Sequence, residues 1–492
     1  MACLLGIDLG TSSVKALLME PEGKVLAVAQ QEYDILSSHA GYAEQDMELL
    51  WEATKSTIRR VLEASKMPAD EVRGIGLSGQ MHGLVLLDDR GGLLRNAIIW
   101  ADQRSKEQIE EIYKVIPQDE YRAATLNSLC TGFYICSLLW VRKHEPELFQ
   151  RIDRAVLPKD YIRYRLCGRL ATDESDASGT LIFNVAQRDW AWELIDRLEL
   201  ERKIFPECGL SCEIAGGITT QAARETGLKT GTPVVYGGGD QPMQSVGNGI
   251  IVPGVLVSNI GTASQISCAV SRPVFDGRYR TNTFCHLRED LWTIMGASLS
   301  GGIALRWLRD NVLEGFSYQD FDRFACEIPP GSKGLLFLPY LGGERTPHND
   351  PNAKGMFFGL TFKHGYRHMI RSVMEGIVFS LRDSFEIFRS LQIGIDKIVA
   401  SGGGARSSVW LQMQADIFDR EIYTTQNKEQ ACIGAAIAAG VGTGIYESLE
   451  QACAKLIRFN GRVWAPDPRH VEIYKERFEV YRTLYKHNKD LF

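Results

Sequence analysis

The sequence predicts an α/β protein whose two domains share one plan and face each other across a cleft. Its 492 residues are too many for a single hydrophobic core, so at least two domains are expected. Residues 4–19 and 255–270 each read as a strand, a Gly-Thr-x-Ser turn and a returning strand. Other apolar strands end in glycine-rich turns followed by helical patterns, which is typical of sheets that bind ligands at their carboxyl ends.

The first hairpin offers backbone N–H groups and hydroxyls to an anion. Residues 4–7 are predicted to form an apolar strand, residues 8–13 a turn and residues 14–19 a second strand. Consecutive N–H groups in such a turn form a concavity that can hold a phosphate without a helix. Asp8, at the mouth of the turn, offers carboxylate oxygens to a magnesium ion, because hard cations prefer oxygen ligands. A plain hairpin without a ligand is the structural alternative.

Polar and aromatic side chains follow the next predicted strands. After an amphipathic helix over residues 46–65, apolar strands are expected at 74–78, 84–87 and 97–100. Five side chains at or just beyond these strand ends can converge on a polyol: Gln80, His82, Trp100, Asp102 and Arg104. Taken alone, His82 is interpreted as a structural histidine and Trp100 as a core residue.

A single carboxylate follows three consecutive glycines at residues 237–239. The β-branched and aromatic run 234–236 predicts a buried strand that leads into this turn. Glycines allow the backbone to bend sharply and to approach a ligand closely. We interpret Asp240 as a general base that takes a proton from a hydroxyl. A solvated aspartate in a glycine-rich turn is the structural alternative.

A Pro-Gly pair at residues 253–254 marks the predicted domain boundary, which gives domains of residues 1–252 and 253–492. The second domain opens with the same hairpin as the first, which indicates a weak internal repeat of roughly 250 residues. Two such halves would put two phosphate-binding hairpins on opposite sides of one cleft. The actin-like, ribonuclease-H-like ATPases are built on this plan.

Three segments of the second domain combine small residues with the start of a helix: 296–302, 401–406 and 430–436. The first would permit close approach of a nucleotide. A dinucleotide-binding fingerprint is the alternative for the second, but Ser407 stands where the third glycine is required. His364 and His368 share a helical face, yet no third zinc ligand is evident.

Composition excludes several classes of protein. A net charge of −6 provides no basic surface for nucleic acid or acidic lipid. No apolar run reaches the ~18 residues of a membrane span, so no membrane association is expected. The eleven cysteines are scattered and follow no secretory signal, which favours reduced thiols in the cytoplasm. No Walker loop or protein-kinase catalytic loop occurs, so any use of ATP requires another fold.

These segments together resemble the FGGY carbohydrate kinases. In the first domain the likeness rests on residues 8–12, 79–83, Trp100 with Asp102 and Arg104, 157–161, 172–180 and 237–240. In the second domain it rests on residues 342–347, 355–360, 374–376, 401–406 and 430–436. The blocks extend across most of the chain, so the resemblance concerns both domains.

The resemblance implies two actin-like domains that transfer a phosphoryl group from ATP to a sugar, with Mg²⁺ as cofactor. The expected catalytic residues are Asp240 and Asp8, and Asp8 is also the expected magnesium ligand. The expected substrate-binding residues are Met81, His82, Trp100, Asp240 and Gln241. The residues expected to bind ATP are Thr11, Ser12, Lys15, Gly261, Thr262, Gly302, Gly402, Gly403, Gly404 and Arg406.

The expected reaction is phosphorylation of a terminal hydroxyl of a ketopentose, D-xylulose to D-xylulose 5-phosphate. Two residues depart from the family pattern: Ser137 stands where a lysine is frequent, and Gln241 stands where kinases of D-xylulose usually have asparagine. Another ketose or a polyol is therefore an alternative substrate. A non-metabolic actin-like ATPase would lack the constellation of Met81, His82 and Asp240. The resemblance also suggests a homodimer whose only other partners are the sugar and ATP.

Overall fold

The computed structural model describes residues 2–492 and contains two large mixed sheets that are flanked by helices. This architecture confirms the predicted α/β class. The strands are Cys3–Leu9 (β1), Ser13–Met19 (β2), Val25–Glu32 (β3), Glu44–Gln45 (β4), Val72–Gly79 (β5), Val85–Leu87 (β6), Ala97–Ile98 (β7), Arg154–Val156 (β8), Thr172–Asp173 (β9), Phe183–Asn184 (β10), Asp189–Trp190 (β11), Cys208–Gly209 (β12), Ile214–Gly217 (β13), Pro233–Val235 (β14), Gly238–Gly239 (β15), Gly254–Ile260 (β16), Ser264–Val270 (β17), Asn282–Cys285 (β18), Trp292–Ser298 (β19), Leu336–Leu338 (β20), Met356–Phe358 (β21), Ile395–Gly402 (β22) and Ile422–Thr424 (β23).

The α-helices pack on the faces of these sheets or extend the first domain. They are Met47–Ser65 (α1), Lys106–Val115 (α2), Gln118–Thr125 (α3), Tyr134–His144 (α4), Pro146–Phe149 (α5), Pro158–Cys167 (α6), Glu174–Ala177 (α7), Trp192–Arg197 (α8), Thr220–Thr226 (α9), Asp240–Gly247 (α10), Gly302–Asn311 (α11), Tyr318–Cys326 (α12), Tyr366–Ser390 (α13), Ser408–Phe418 (α14), Gln430–Gly442 (α15), Leu449–Leu456 (α16) and Pro468–Asn488 (α17). Short 3₁₀ turns occur at Ala69–Glu71, Ser178–Thr180, Arg202–Ile204, Ser332–Gly334, Gly403–Arg406 and Lys489–Leu491.

Local sequence explains where the first long helix begins. The predicted helix started at residue 46, but Asp46 is its N-cap, with extended backbone and a side chain that accepts hydrogen bonds from the N–H groups of Glu48 and Leu49. The apolar side of α1, which includes Leu50, Trp51 and Ile58, is buried in one core with the inner face of the first sheet.

The two sheets repeat one topology. In the first sheet the order is β13-β14-β5-β1-β2-β3, with β15 also paired to β5. β1 is antiparallel to β2 and parallel to β5. In the second sheet the order is β18-β19-β17-β16-β22-β23, and β16 is likewise antiparallel to β17 and parallel to β22. The internal repeat predicted from the two hairpins therefore extends over five strands, β3-β2-β1-β5-β14 in the first sheet and β19-β17-β16-β22-β23 in the second.

One helix of the C-terminal part packs on the first sheet. α15 contacts β1 and β5, and it lies against α10. Its apolar side chains share a core with Leu4, Leu17 and Val235 of the first sheet. The division predicted at residues 252 and 253 assigned this helix to the second domain, whereas its packing partners belong to the first. No helix within residues 2–492 is both long and apolar enough to cross a membrane.

Candidate active site

The two aspartates predicted to be catalytic lie at the same edge of the first sheet. Asp8 pairs with Ser78 across β1 and β5, and Ser78 pairs with Gly238 across β5 and β15. Because neighbouring strands are about 4.8 Å apart, the turn that carries Asp240 lies about 10 Å from the backbone of Asp8. The Ser78 hydroxyl donates to Asp8 Oδ1 over 2.7 Å and fixes that side chain.

A sharp turn delivers Asp240 to this edge. Gly237 has a φ of +81°, and a Cβ there would lie 2.4 Å from the carbonyl oxygen of Leu77, so only glycine fits. The two residues of β15 follow, and Asp240 is the first residue of α10. The carboxylate therefore lies at the N-terminus of a helix, where backbone N–H groups can support negative charge.

The electrostatic environment of Asp240 suits a base that works near neutral pH. Burial raises the pKa of its carboxyl to about 7, the negative charge of Asp8 adds to the rise, and backbone N–H groups act in the opposite direction. Burial likewise raises the pKa of Asp8, against the effects of Ser78 and Lys15. The two carboxyl groups are thus within electrostatic reach of each other.

A buried charged cluster, Lys159, Asp160, Arg163, Asp173 and Asp176, lies directly behind the turn. Lys159 Nζ is 2.6 Å from Asp160 Oδ1, 2.9 Å from Asp173 Oδ2 and 3.7 Å from Asp176 Oδ2. The three carboxylates have the spacing of metal ligands, but the ammonium of Lys159 already supplies the positive charge among them. Burial also raises the pKa of Asp176 well above its usual range, so two cations balance two carboxylates.

This cluster holds both ends of the turn that carries Asp240. Lys159 Nζ and Arg163 Nη1 donate to the carbonyl oxygen of Tyr236, over 3.4 Å and 2.8 Å. At the other end, the N–H of Gly239 donates to Ser175 Oγ over 3.2 Å, and that hydroxyl donates to Asp173 Oδ1 over 2.6 Å. Sequence reasoning noted segments 157–161 and 172–180 only through their resemblance to the family, because the contacts join positions far apart in the chain.

Met81 and His82 lie beside the turn that carries Asp240, where the Met81 side chain packs against Gly239. Met81 is buried against Phe284 and Met295 of the second sheet. His82 stacks on Phe133 with ring centroids 3.7 Å apart, and its Nδ1 donates to the carbonyl oxygen of Gly179 over 2.7 Å. Burial lowers the pKa of His82 to about 3, so the ring is neutral and presents Nε2 as an acceptor.

Trp100 contacts the first hairpin. Its Nε1 donates to Thr11 Oγ1 over 3.0 Å, so the predicted sugar side and the predicted phosphate side are in direct contact. The other two side chains noted near it have a structural role. Asp102 is fully buried, and its carboxylate accepts from the N–H of Ala43 and pairs with Arg104. Asp102 and Arg104 therefore connect loops of the first domain.

The second domain supplies an arginine that sequence reasoning did not single out. The guanidinium of Arg345 lies 6.0 Å from the ring centres of both Trp100 and Phe133, and its charge contributes to the lowered pKa of His82. Its position is fixed by Glu344, a buried carboxylate that accepts from the N–H groups of Leu299 and Arg345. The only sequence signal was its place within the segment 342–347.

Gln241 reaches across to the second domain. Its Oε1 accepts a hydrogen bond from Nε2 of Gln265, which lies on β17. The side chain next to the candidate base is thus in contact with the second hairpin as well as with its own domain.

The first hairpin presents hydroxyls and a paired cation. Gly10 closes the turn with an N–H that donates to the carbonyl oxygen of Ser13 over 2.9 Å, and Ser12 at its tip is exposed. Lys15 Nζ lies 2.7 Å from Glu429 Oε2, just before α15. Lys15 is therefore committed to an ion pair that links the hairpin to the C-terminal part of the chain.

The second hairpin is joined to a helix start and a glycine turn. The N–H of Gly302, the first residue of α11, donates to the carbonyl oxygen of Gly261 over 2.7 Å, and Thr262 beside it is exposed. Gly402 is the last residue of β22, which pairs with β16 so that Gly402 lies opposite Ile260 at the base of the hairpin, and residues 403 and 404 follow it. Arg406, at the end of the 3₁₀ turn, is exposed. Both hairpins and the turn thus lie at strand ends that can approach one nucleotide.

The zinc alternative has no support in the part of the chain that the structure describes. His364 and His368 have ring centroids 5.3 Å apart, but the group of potential metal ligands found among residues 2–492 is the aspartate trio beside Lys159.

Two sheets that share one five-strand topology, with an acid at the edge of the first, define a two-domain protein of the actin-like ATPase fold. Models for the N-terminal and C-terminal domains of the FGGY family of carbohydrate kinases match residues 3–247 and 256–443. The chain belongs to this family, so it is a carbohydrate kinase with ATP as a substrate. This membership excludes the non-metabolic ATPase.

Relatives match along the whole chain. The chain is 36% identical to a xylulose kinase of Bacillus subtilis, over 100% of this chain and 98% of that protein. It is also 36% identical to a xylulose kinase of Escherichia coli, over 98% of each chain. Among solved structures, a ligand-bound xylulose kinase of Lactobacillus acidophilus superposes with a TM-score of 0.94 at 28% identity, covering 99% of each chain.

Proposed function

We propose that this chain transfers the terminal phosphoryl group of ATP to a terminal hydroxyl of D-xylulose, which gives D-xylulose 5-phosphate. The observation that carries the proposal is the carboxyl of Asp240, poised with a pKa of about 7 at the sheet edge it shares with Asp8. The names of the relatives, which are xylulose kinases over their full length, support D-xylulose as the sugar.

In this proposal Asp240 is the general base. It accepts the proton of the attacking hydroxyl while the phosphoryl group moves in line from ATP to that oxygen. Positioning of the reactants and stabilisation of charge account for most of the rate enhancement, because phosphoryl transfer requires little covalent chemistry from the protein. The cluster around Lys159 and Asp173 holds the turn, so the carboxylate meets the hydroxyl without reorganisation.

The sugar is proposed to lie against Met81, His82 and Trp100, with Gln241 beside Asp240. The neutral His82 offers an acceptor to a sugar hydroxyl, and Trp100 gives the apolar face of the sugar a surface to stack on. Arg345 of the second domain lies 6.0 Å from the ring centre of Trp100, on the side of the proposed sugar site.

ATP is proposed to lie across the second domain with its phosphates between the hairpins. Backbone N–H groups and hydroxyls of Thr11, Ser12, Gly261 and Thr262 would face the phosphates. The residues proposed to hold the remainder of the nucleotide are Gly302, Gly402, Gly403, Gly404 and Arg406. Lys15, which pairs with Glu429, is proposed to contribute to ATP binding from behind the first hairpin.

Asp8 fits a magnesium ion. Its carboxylate is a hard oxygen donor, Ser78 holds Oδ1, and no group within residues 2–492 donates a hydrogen bond to Oδ2. The raised pKa of Asp8 is the signature of a carboxyl whose charge lacks a full counterion in the protein. When bound, the ion would neutralise charge on the phosphates of ATP.

A second substrate class is supported by two observations. Gln241 departs from the asparagine usual in kinases of D-xylulose, and a gluconokinase of Bacillus subtilis is 30% identical over 91% of this chain. Another ketose, a polyol or a linear sugar acid is therefore the alternative acceptor.

A panel of acceptors tests the proposal. Purified protein with ATP and Mg²⁺ is assayed for ADP release against ketopentoses, ketohexoses, pentitols, glycerol and gluconate, and each product is analysed by ³¹P NMR. We expect the highest kcat/KM for D-xylulose, with phosphate on O5. A higher kcat/KM for another acceptor, or phosphate on another oxygen of D-xylulose, would contradict the proposed substrate.

Three further features belong to the proposal. We propose a domain division near residue 252, with α15 packed back on the first domain; limited proteolysis checks the exposed connection.

We propose a homodimer, supported by the exposed side chains of Leu360 and Phe362, and the mass in solution tests it.

We propose a cytoplasmic location, supported by eleven free cysteines, and cell fractionation tests it.

A further inference from the structure

Gln265 is a polar side chain of the second domain that contacts Gln241, a residue of the proposed sugar site in the first domain. It lies on β17, three positions beyond Thr262, and pairs in register with Asn259 and Ala297 of the neighbouring strands. Its Nε2 donates to Oε1 of Gln241, the residue that follows the candidate base. Both side chains are partly buried, so the hydrogen bond is shielded from bulk water.

This hydrogen bond determines which group of the Gln241 amide is available to a substrate. A glutamine amide carries one acceptor oxygen and one donor NH₂ group. Gln265 occupies the oxygen, and no group within residues 2–492 accepts a hydrogen bond from Nε2 of Gln241. The NH₂ group of this residue, which follows Asp240 in the chain, keeps its two N–H bonds available to a ligand.

The length of the Gln241 side chain is essential to its hydrogen bond with Gln265. Asparagine, the residue usual at this position in kinases of D-xylulose, is one methylene shorter and withdraws its amide by about 1.5 Å. A shorter amide could not accept the bond from Gln265 and at the same time keep its donor beside the reacting hydroxyl. The longer side chain at residue 241 thus has a partner on the opposite domain.

We propose that Gln265 is a specificity-determining positioning residue, which orients the amide of Gln241 so that its NH₂ group donates to the hydroxyl next to the one phosphorylated. For D-xylulose phosphorylated on O5, that hydroxyl is the one on C4. This inference rests on the proposed function and names the part of the sugar that the site reads. Because Gln265 belongs to the hairpin that faces ATP, sugar recognition is completed by the ATP-binding domain.

Two sugars separate this role from a general loss of activity. L-Ribulose differs from D-xylulose only in the configuration at C4, and D-ribulose differs only at C3. In Gln265→Ala the kcat/KM ratio of D-xylulose to L-ribulose is expected to fall about tenfold, since the oriented donor is lost. The ratio of D-xylulose to D-ribulose is expected to stay within about twofold of wild type.

A double-mutant cycle tests that the two glutamines act as one unit. Gln241→Asn, Gln265→Ala and the double variant are expected to show the same tenfold fall, because the second substitution finds nothing left to remove. Gln244→Ala is the matched control: Gln244 lies one turn further along α10 and accepts from Asn259 of the second domain over 3.5 Å. It is expected to keep the wild-type ratios, and the KM for ATP should be unchanged in all variants.

An unchanged kcat/KM ratio of D-xylulose to L-ribulose in a folded, active Gln265→Ala would overturn the inference. A double variant in which this ratio falls by the product of the two single-variant effects would also overturn it. Failure of the proposed function is a different result, in which wild-type protein prefers another acceptor to D-xylulose. The cycle is then run on that acceptor and its epimer at the carbon next to the phosphorylated hydroxyl, with the same expected outcome.

Discussion

At the scale of single residues, the carboxyl of Asp240, the proposed general base, is ionised at some expense of stability. Its pKa is raised to about 7 because burial and the charge of Asp8 disfavour the ionised form. A base must be ionised to accept a proton, so at neutral pH the folded protein holds a charge that its surroundings do not favour.

This residue predicts a measurable dependence of stability on pH. A carboxyl with a raised pKa in the folded state contributes stability below its unfolded pKa, and this contribution is lost as the pH rises through the folded pKa of about 7. Asp240→Asn keeps the neutral form at every pH. We expect it to be more stable than wild type at pH 8, by on the order of 1 kcal/mol because water reaches part of this residue, and equal to wild type near pH 4.

Urea unfolding without ligands, at pH 4 to 8, provides the measurement. Asp70→Asn, which alters an exposed aspartate on the first domain, is the control and should show no such rise relative to wild type. A stability difference for Asp240→Asn that stays constant with pH would show that the carboxyl carries no raised pKa.

How far these residues were predictable depends on how local their signal is. Asp240 follows three glycines, and His82 and Trp100 follow strands, so neighbouring residues revealed them. Lys159, Gln265 and Arg345 gain their roles from contacts with segments distant in the chain, which no local pattern records. Asp102 and Arg104 also follow a strand, and their ion pair with each other was not visible in the sequence.

At the scale of elements, the contact between α15 and the first sheet is among the closest in the fold. A Cβ on Gly76 of β5 would lie 1.9 Å from the carbonyl oxygen of Ala435, and a Cβ on Gly6 of β1 would lie 1.9 Å from that of Cys432. Glycines on the strands let the helix backbone rest directly on the sheet. Because Glu429, just before this helix, pairs with Lys15, the same contact fixes the first hairpin.

Gly76→Ala is therefore expected to lower the free energy of unfolding by about 2–4 kcal/mol, since helix and strand must separate to admit the methyl group. Gly394→Ala is the control, because a Cβ at Gly394 meets no atom within 4 Å. Thermal and urea unfolding measure both variants. Equal stability of the two would show that α15 packs on the first sheet less closely than the structure has it.

The helix itself was predictable, whereas its partner was not. Small and apolar residues from 430 to 442 predict a buried helix, and the structure has one there. A helix that is apolar on all sides has no polar face to indicate which sheet it covers, so sequence order assigned it to the second domain.

At the scale of the whole molecule, five strands of the first sheet recur in the same order in the second sheet. The repeat was visible in the sequence because both hairpins keep the same Gly-Thr-x-Ser pattern. The order of the flanking strands and the return of the chain to the first domain were not visible, because they depend on long-range pairing. The family membership of both halves agrees with this architecture.

The central claim is that the carboxyl of Asp240 takes the proton of a sugar hydroxyl while ATP is held between the two domains. One measurement tests it most directly: single-turnover formation of phosphorylated sugar from ATP by wild type and by Asp240→Asn. Titration calorimetry on both proteins, with the sugar and with a non-hydrolysable ATP analogue, accompanies it.

We expect Asp240→Asn to bind both ligands within about threefold of wild type and to form product at least about 10³-fold more slowly, since the amide cannot accept the proton. A folded Asp240→Asn that binds both ligands and forms phosphorylated sugar at a rate near that of wild type would contradict the account.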